Sequence, residues 1–270
     1  MSKLIGILGC GWLGLPLGEH LMSLGFRVKG STTSEERLDT LRSKNIEPYL
    51  VRVTEEEIVG AFDFFNSIDK LIIAMPPGLR ANPKRNFAVL MNQVKQACET
   101  HGIKEVIFIS STSVYGKLSG KITEQSVTHP ETNSGKQLLE CENLLSNSLH
   151  FKTTILRMGG LIGAARHPVF QLSKKTSVDN PKGSINLIHL TDCIQIISCL
   201  VDQAVAKNVY NCVTPYHPSR EEYYRQMAIQ MGCKPPVFND SKPFNREIVS
   251  DKLMQHLNYS FQVKNLLISS

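Results

Sequence analysis

Short apolar segments recur along the first 160 residues, with longer amphipathic segments between them. The apolar segments are LIGILG (4–9), FRVKGS (26–31), DKLIIAM (69–75), EVIFIS (105–110) and FKTTILRM (151–158). Their apolar residues run continuously instead of alternating, which is typical of parallel strands covered by helices on both faces. The helix-like segments between them lie at 15–25, 34–45, 86–102 and 134–147. This order of strands and helices predicts an α/β fold with a doubly wound parallel sheet.

Beyond residue 160 the pattern loosens, which predicts a smaller lobe interleaved with the sheet domain. We assign residues 1–160 to a Rossmann-type dinucleotide-binding domain and residues 161–270 to a smaller C-terminal substrate-binding lobe. The segment 187–205 contains the apolar helical stretch DCIQIISCL, which we expect to pack back on the sheet.

The net charge of +6 is compatible with nucleic acid or with an anionic small molecule. The basic residues are interleaved with acids and form no long run, which argues against nucleic acid and favours a small-molecule substrate. The seven cysteines show no CxxC pair and no zinc-like spacing, so we expect reduced thiols, no metal site and a cytoplasmic location. Glycines break the apolar N-terminal run, so neither a signal peptide nor a membrane span fits.

The sequence GILGCGWLG carries the strongest single motif of the chain. It places Gly9, Gly11 and Gly14 in a GxGxxG directly after the first predicted strand and before a helix. In this context the glycines provide a tight turn, close backbone approach to a pyrophosphate and close packing of helix on strand. We therefore expect this loop, with the intervening Trp12 and Leu13, to bind a dinucleotide. A purely structural glycine turn is the alternative.

The end of the second predicted strand indicates which dinucleotide is bound. An NAD site usually has an acid about 20 residues beyond the glycine motif. Here the stretch reads VKGSTTSEER, and no acid precedes Glu35. Hydroxyl groups followed by a guanidinium suit a 2′-phosphate, so we predict that NADP is preferred over NAD through Ser31, Thr32, Thr33 and Arg37. The same stretch also fits a capped helix start at Ser34, and both interpretations can hold together.

The run VIFISSTSVYG (106–116) ends a buried strand in hydroxyl groups, at the edge where doubly wound folds bind their ligands. Together with the glycine motif it resembles the extended branch of the short-chain dehydrogenase/reductase superfamily, the NAD(P)-dependent epimerases and dehydratases of nucleotide sugars. Three later segments resemble the same family, so the resemblance covers nearly the whole chain: ILRMGGLIG (155–163), LIHLTDC (187–193) and VYNCVTPYHPSREEYYRQMA (209–228).

The resemblance implies positions for the catalytic residues. Ser111 matches the family's catalytic Ser/Thr, Lys136 its lysine and Glu140 the glutamate that follows. The family's catalytic tyrosine is replaced by Thr132. In the family mechanism this tyrosine is the general acid/base, while the lysine lowers its pKa and binds the nicotinamide ribose. An aliphatic hydroxyl cannot be brought to neutrality in the way a phenol can.

Tyr115 is the nearest phenol on the same loop and is a candidate for the missing base. Family members have a tyrosine at this position beside a complete catalytic set, so packing is the interpretation that we favour for it. Arg157 also matches a family position.

Four residues of the later segments are candidate site residues. Arg166 and His167, in GAARHP, are predicted to receive an anionic group of the substrate, with a solvated loop as the alternative. His189 and Asp192 have catalytic residue types, but we expect them to anchor the junction of the lobes or to cap a helix.

The segment AMPPG follows the strand at 69–75 and is expected to line the adenosine side of the cofactor through Ala74, Met75 and Pro76.

The helices 86–102 and 134–147 carry apolar residues through which family members often pair. A homodimer is therefore one interpretation of Val89, Val94, Leu138, Leu139 and Leu144, and packing on the sheet is the other.

The sequence supports three functions. The first is an NADP-dependent oxidoreductase or epimerase-like enzyme with an atypical site, for which a nucleotide sugar is a candidate substrate. The second is a catalytically inactive dinucleotide-binding sensor or regulatory protein. The third is a different Rossmann reductase, which leaves SSTSVYG and the later segments unexplained.

Overall fold

The computed structural model describes residues 2–163, 165–203, 207–241 and 244–267. The strands are β1 Leu4–Leu8, β2 Arg27–Thr32, β3 Glu47–Leu50, β4 Arg52–Val53, β5 Ile58–Val59, β6 Lys70–Ile73, β7 Glu105–Ser111, β8 Gly120–Ile122, β9 Lys152–Met158, β10 Gly160–Ile162, β11 Leu187–His189, β12 Asn208–Cys212 and β13 Arg246–Ile248. The helices are α1 Gly14–Ser23, α2 Leu38–Ser43, α3 Ala61–Phe65, α4 Phe87–Thr100, α5 Asn133–Ser146, α6 Val169–Leu172, α7 Leu190–Asp202, α8 Arg220–Gln230 and α9 Asp251–His256. Two 3-10 helices lie at Glu35–Arg37 and Thr112–Tyr115.

A seven-stranded sheet with the order β12-β9-β7-β6-β1-β2-β3 forms the centre of the fold. The pairs β1/β2, β1/β6, β2/β3 and β6/β7 are parallel. The sheet and its flanking helices confirm the predicted doubly wound α/β fold. Because parallel strands end at the same edge, the segments after β1, β2 and β6 meet there. The structure shows no helix, among the residues it describes, that could cross a membrane.

The chain divides into two compact units. The first contains Met1–Val114, Pro130–Leu156 and Ile194–Val209, and the second Tyr115–His129, Arg157–Cys193 and Tyr210–Ser270. The predicted boundary near residue 160 lies close to the change of unit at residue 157. Residues 115–129 cluster with the second unit, which the sequence pattern did not predict. Residues 204 and 205 of the predicted packing segment lie outside the described residues.

Buried strands and one buried lysine hold the first unit together. Strand side chains such as Ile5, Ile72 and Ile107 have no exposed surface, which explains why the apolar runs are continuous.

Lys70 at the start of β6 is only 1% exposed. Its Nζ donates to the carbonyls at the end of α7, and it pairs with Glu105 at 2.9 Å. This ammonium satisfies carbonyls that the helix leaves open and fixes α7 to the sheet.

The predicted dimer helices α4 and α5 contact each other in the first unit. Val94 and Leu138 are buried there, and Val89 is exposed on α4. The homodimer stays a prediction.

His167 is a core residue of the second unit, and this corrects the prediction that it binds an anionic group. Its Nδ1 accepts a hydrogen bond from the Val169 N–H at 3.1 Å. Nε2 therefore carries the proton and donates to the Tyr223 hydroxyl at 2.9 Å, and that hydroxyl donates to the Leu266 carbonyl. Burial lowers the pKa of His167 from 6.5 to about 4, so the ring is neutral and brings no positive charge to an anion.

This burial predicts a measurable loss of stability in acid. Between the unfolded pKa and the lower folded pKa of His167, the unfolded chain binds one more proton, so stability falls as the pH decreases. From about pH 7 to about pH 5, wild type should lose up to about 2 kcal/mol more unfolding free energy than His167→Gln. Chemical denaturation at both pH values measures the difference. The exposed His129→Gln variant should keep the wild-type pH dependence, and an equal dependence in His167→Gln would contradict the assignment.

Candidate functional site

The glycine loop follows β1 and has the backbone geometry that its motif predicts. Gly9 has φ +103°, and a Cβ there would lie 3.1 Å from the Met75 nitrogen. A Cβ on Gly14 would collide with the Gly9 carbonyl oxygen, so helix α1 requires glycine at its first residue. A Cβ on Gly11 would meet nothing within 4 Å. The loop therefore has two glycines that packing demands and a third that faces open space.

Ser31 and Arg37 hold this loop against the end of β2. The buried Ser31 Oγ accepts a hydrogen bond from the Gly9 N–H at 2.9 Å, and its carbonyl accepts one from the Cys10 N–H at 2.8 Å. The exposed Arg37 donates from Nη2 to the Cys10 carbonyl at 3.1 Å. A guanidinium thus lies directly beside the predicted pyrophosphate loop.

Hydroxyl residues without an acid follow at the end of β2. Thr32 is buried, and its Oγ1 accepts from the Ser34 N–H at 3.2 Å, while Thr33 is exposed. Ser34 stands at the N-cap of the 3-10 helix Glu35–Arg37 but makes no capping hydrogen bond with its side chain. The predicted side-chain cap at Ser34 is therefore wrong, because the hydroxyl of Thr32, and not that of Ser34, accepts the backbone hydrogen bond in this turn.

The residues of this edge fit a dinucleotide. Trp12 and Leu13 lead into α1, whose N-terminus is the positive end of the helix dipole. That end favours an anion, and the open space at Gly11 admits one close to the backbone.

The predicted adenosine-side segment starts beside the glycine loop. Ala74 donates its N–H to the Leu8 carbonyl at 3.0 Å. The Met75 nitrogen lies 3.1 Å from the position that a Cβ on Gly9 would take, and Pro76 follows as an exposed residue.

Ser111 ends β7 and is half-buried. Its Oγ accepts a hydrogen bond from the Ser113 N–H at 3.1 Å, so its own O–H is available as a donor. The neighbouring Ser110 points into the core, where it donates to Glu142 at 2.5 Å.

Thr132 and Lys136 lie in the first turn of α5. Thr132 is the N-cap, and its Oγ1 accepts from the Gly135 N–H at 3.1 Å. A Cβ on Gly135 would lie 2.9 Å from the Ser113 carbonyl oxygen. Helix α5 therefore packs so closely against the turn after Ser111 that any side chain larger than that of glycine would be crowded. The structure thus brings the Ser111 turn and the start of α5 together, and the role of Gly135 was not found from sequence.

The side chain of Lys136 is exposed. Among the described residues, no carboxylate lies within ion-pair distance of its ammonium group. Glu140, which is exposed one turn later on α5, does not pair with it either. The ammonium is therefore available to a ligand.

Tyr115 belongs to the second unit and is completely buried. Its hydroxyl donates to Asn211 Oδ1 at 2.8 Å and accepts from Arg157 Nη1 at 2.9 Å. Burial, the largest influence, raises its pKa even though Arg157 acts in the opposite direction. This environment favours the packing role over that of a general base. Asn211 was not recognised from sequence, because it lies 96 residues away along the chain.

Asp192 and His189 are buried candidates of the second unit, and both accept hydrogen bonds from backbone N–H groups. Asp192 is completely buried and accepts hydrogen bonds from the Tyr259 hydroxyl and from backbone N–H groups at Gln262 and Val263. It therefore anchors the C-terminal segment. His189 accepts from the Thr191 N–H at 3.2 Å, and burial lowers its pKa.

Arg166 is exposed in a turn that hydrogen bonds to Gly163 through the backbone of both residues. Its substrate role stays a prediction.

Comparison with known proteins identifies relatives of this chain. The NAD dependent epimerase/dehydratase family matches residues 7–212. Protein YeeZ from Escherichia coli strain K12 is 34% identical over 271 residues, which cover 98% of each chain.

Solved structures of low sequence identity share the fold. UDP-glucose 4-epimerase from Thermotoga maritima has a TM-score of 0.80 at 15% identity, over 98% of this chain and 95% of that one. UDP-glucuronic acid 4-epimerase from Bacillus cereus, solved with NAD, has a TM-score of 0.78 at 18% identity, over 97% and 94%. The family match covers most of the chain, and the identity to YeeZ runs over nearly its whole length. The chain therefore belongs to the NAD-dependent epimerase/dehydratase family.

Proposed function

We propose that this chain binds NADP(H) in preference to NAD(H) and acts as an oxidoreductase or epimerase-like enzyme on a small molecule of the nucleotide-sugar class. The hydrogen bond from Arg37 to the Cys10 carbonyl is the observation that carries the cofactor assignment. It places a positive charge at the glycine loop, beside a strand end without a carboxylate.

Electrostatics at the end of β2 support NADP(H). A carboxylate there would accept the ribose 2′-hydroxyl of NAD and repel a 2′-phosphate. Thr32 and Thr33 stand there instead. The Thr32 hydroxyl is buried and bonded to the Ser34 backbone, and the exposed Thr33 offers an uncharged hydroxyl. Arg37 uses Nη2 for Cys10, which leaves other N–H groups of its guanidinium for phosphate oxygens.

The substrate class follows from the relatives. The Thermotoga maritima epimerase was solved with UDP-glucose and the Bacillus cereus epimerase acts on UDP-glucuronic acid. Nicotinamide, when bound, supplies a hydride donor or acceptor. Lys136 would bind the nicotinamide ribose, and its exposed, unpaired ammonium is consistent with that role.

Proton transfer is where this site departs from its family. The hydroxyl groups of Ser111 and Thr132 each accept a backbone N–H, so each has its O–H free to donate to a substrate oxygen. Neither is a base near neutral pH, since an aliphatic hydroxyl ionises far above a phenol. Tyr115 is engaged by Arg157 and Asn211. Turnover would therefore need a base other than these three hydroxyl groups.

The capping bond of Thr132 also favours a second function. Thr132 stabilises the first turn of α5, and this structural role does not require the residue to take part in catalysis. A protein that binds NADP(H) without turnover, as a sensor or regulator, is consistent with that observation.

Arg37→Ala tests the cofactor preference. Loss of a charged contact to the 2′-phosphate should weaken NADPH binding by about tenfold or more and leave NADH binding nearly unchanged. Calorimetric titration with both cofactors measures the two affinities. Arg42→Ala, which removes an exposed arginine of α2, is the matched control and should change neither. Equal losses for NADPH and NADH in Arg37→Ala would refute the assignment.

Lys136→Met tests the ribose contact. Because both cofactors carry the nicotinamide ribose, the variant should weaken NADPH and NADH by a similar factor, about tenfold. Lys104→Met, the same change at an exposed lysine elsewhere in the first unit, should retain wild-type affinity in the same titrations. Unchanged binding in Lys136→Met would remove Lys136 from the cofactor site.

Thr132→Tyr tests whether a phenol restores family chemistry. With UDP-glucose and NADP, we expect reduction of the cofactor about a hundredfold faster than in wild type, followed by the absorbance of the reduced nicotinamide. Thr132→Ser keeps the cap without a phenol and should gain nothing. A folded, NADPH-binding Thr132→Tyr variant without any gain would favour the protein that binds without turnover.

A further inference from the structure

Gln137 directly follows Lys136 on α5, and its side chain is bonded to three other groups of the protein. The residue is half-buried. Its Oε1 accepts the Phe87 N–H at 2.6 Å, and its Nε2 donates to the Arg85 carbonyl at 3.2 Å and to Asn133 Oδ1 at 3.1 Å. Both ends of the amide are therefore occupied by protein groups, which suits the residue to holding its neighbours in place.

The bond to Phe87 completes the start of helix α4. Phe87 is the first residue of α4, where a backbone N–H has no acceptor within the helix. The N-cap residue Asn86 accepts from the Val89 N–H, so it does not serve Phe87. Gln137 supplies the missing acceptor from the neighbouring helix. Because the Phe87 side chain is completely buried, this bond joins α5 to a fixed point of the first unit.

A second contact from α5 reaches the same residue of α4. Cys141 is completely buried one turn after Gln137, and its Sγ donates to the Phe87 carbonyl at 3.9 Å. Side chains four residues apart lie on one face of a helix. One face of α5 therefore contacts both backbone polar groups of Phe87, and this sets the position of α5 along α4.

The same amide fixes the turn from which Lys136 extends. Asn133 is the first residue of α5, so its bond to Gln137 closes the first turn around the lysine. The bond to the Arg85 carbonyl holds this turn against the end of the segment that joins β6 to α4. Because the Lys136 side chain is exposed and flexible, the region that its ammonium group can reach depends on where this turn lies.

We propose that Gln137 is a positioning residue for the cofactor site and acts through Lys136. Its amide holds the first turn of α5 against the start of α4 and so sets the point from which the lysine reaches the nicotinamide ribose. This inference rests on the proposed function, because it deepens the assignment of Lys136. Without the amide the ammonium group is still present, but it samples more positions and loses more freedom when it binds the ribose.

A double-mutant cycle tests whether Gln137 acts through Lys136. Gln137→Met keeps the length of the side chain and removes its three hydrogen bonds. Calorimetric titration gives the NADPH affinity of wild type, the two single variants Gln137→Met and Lys136→Met, and the double variant. We expect Gln137→Met to weaken NADPH binding about fivefold in the wild-type background and less than about twofold in the Lys136→Met background. No loss in the wild-type background, or the same loss in both, would overturn the proposal.

Adenosine 2′,5′-bisphosphate separates a local effect from general damage to the site. This probe lacks the nicotinamide ribose, so Gln137→Met should bind it as tightly as wild type does. If Gln137→Met lost affinity for this probe by the same factor as for NADPH, the substitution would disturb the whole cofactor site and the proposal would fall.

Gln93→Met is the matched control. Gln93 is a half-buried residue of α4, and its Nε2 donates to the Glu55 carbonyl at 3.0 Å. The variant loses a hydrogen bond of the same kind in the first unit and should bind NADPH like wild type. Chemical denaturation compares the unfolding free energy of both variants without cofactor. A loss of NADPH affinity in Gln93→Met equal to that in Gln137→Met would assign the effect to stability and contradict the proposal.

Gln137→Glu is the conservative variant, and it also serves if Gln137→Met does not fold. Its carboxylate still accepts the Phe87 N–H, at the end of α4 where the helix dipole favours a negative charge. NADPH affinity should therefore return to within about twofold of wild type. An affinity at or below one fifth of the wild-type value would overturn the proposal.

Failure of the proposed function gives a different pattern. Wild type that binds no NADPH refutes the cofactor assignment, and this inference fails with it. Lys136→Met with wild-type affinity removes the lysine from the cofactor site and has the same consequence. The inference alone fails when Lys136→Met weakens NADPH binding and Gln137→Met does not.

Discussion

The hydrogen bonds between Ser31 and the glycine loop set the geometry on which the candidate site depends. The hydroxyl and the carbonyl of Ser31 accept hydrogen bonds from two consecutive N–H groups, those of Gly9 and Cys10. The loop is thereby fixed to β2 as well as to the strand from which it emerges. At this strand end, Thr33 and Arg37 are the exposed residues to which we assign the proposed choice of cofactor. Arg37 then bonds to the loop that Ser31 has positioned.

A second constraint acts at the start of α5. Gly135 lets the helix approach the Ser113 carbonyl, and Thr132 closes the first turn with its hydroxyl. The resemblance to the family implies a tyrosine at this position, and the threonine that stands there has a clear local function. Threonine caps a helix and tyrosine does not, so the residue present favours the helix start, whereas the implied tyrosine would favour proton transfer.

The sequence predicted those features that local pattern determines. Continuous apolar runs identified the central strands because burial on both faces leaves no polar alternation, and the glycine motif matched its turn because Gly9 and Gly14 have no room for a Cβ. His167 was misplaced because a polar loop sequence contains no sign that Tyr223 and Val169 enclose its ring. The partners of Tyr115 were missed for the same reason. Their contacts join segments far apart in the chain, and periodicity carries no information about such contacts.

Charge distribution changes how the basic composition is understood. The net charge is +6, and the first unit contributes none of it, because its basic and acidic residues are equal in number. Most ion-paired cations, such as Arg42 with Asp39, contribute little to the external field because their partners cancel them. The surplus therefore belongs to the second unit and not to the unit that carries the glycine loop and Lys136. The basic composition of the chain consequently gives no information about the charge at the candidate site. There the positions of single cations, such as Arg37 beside the Cys10 carbonyl, matter more than the sum.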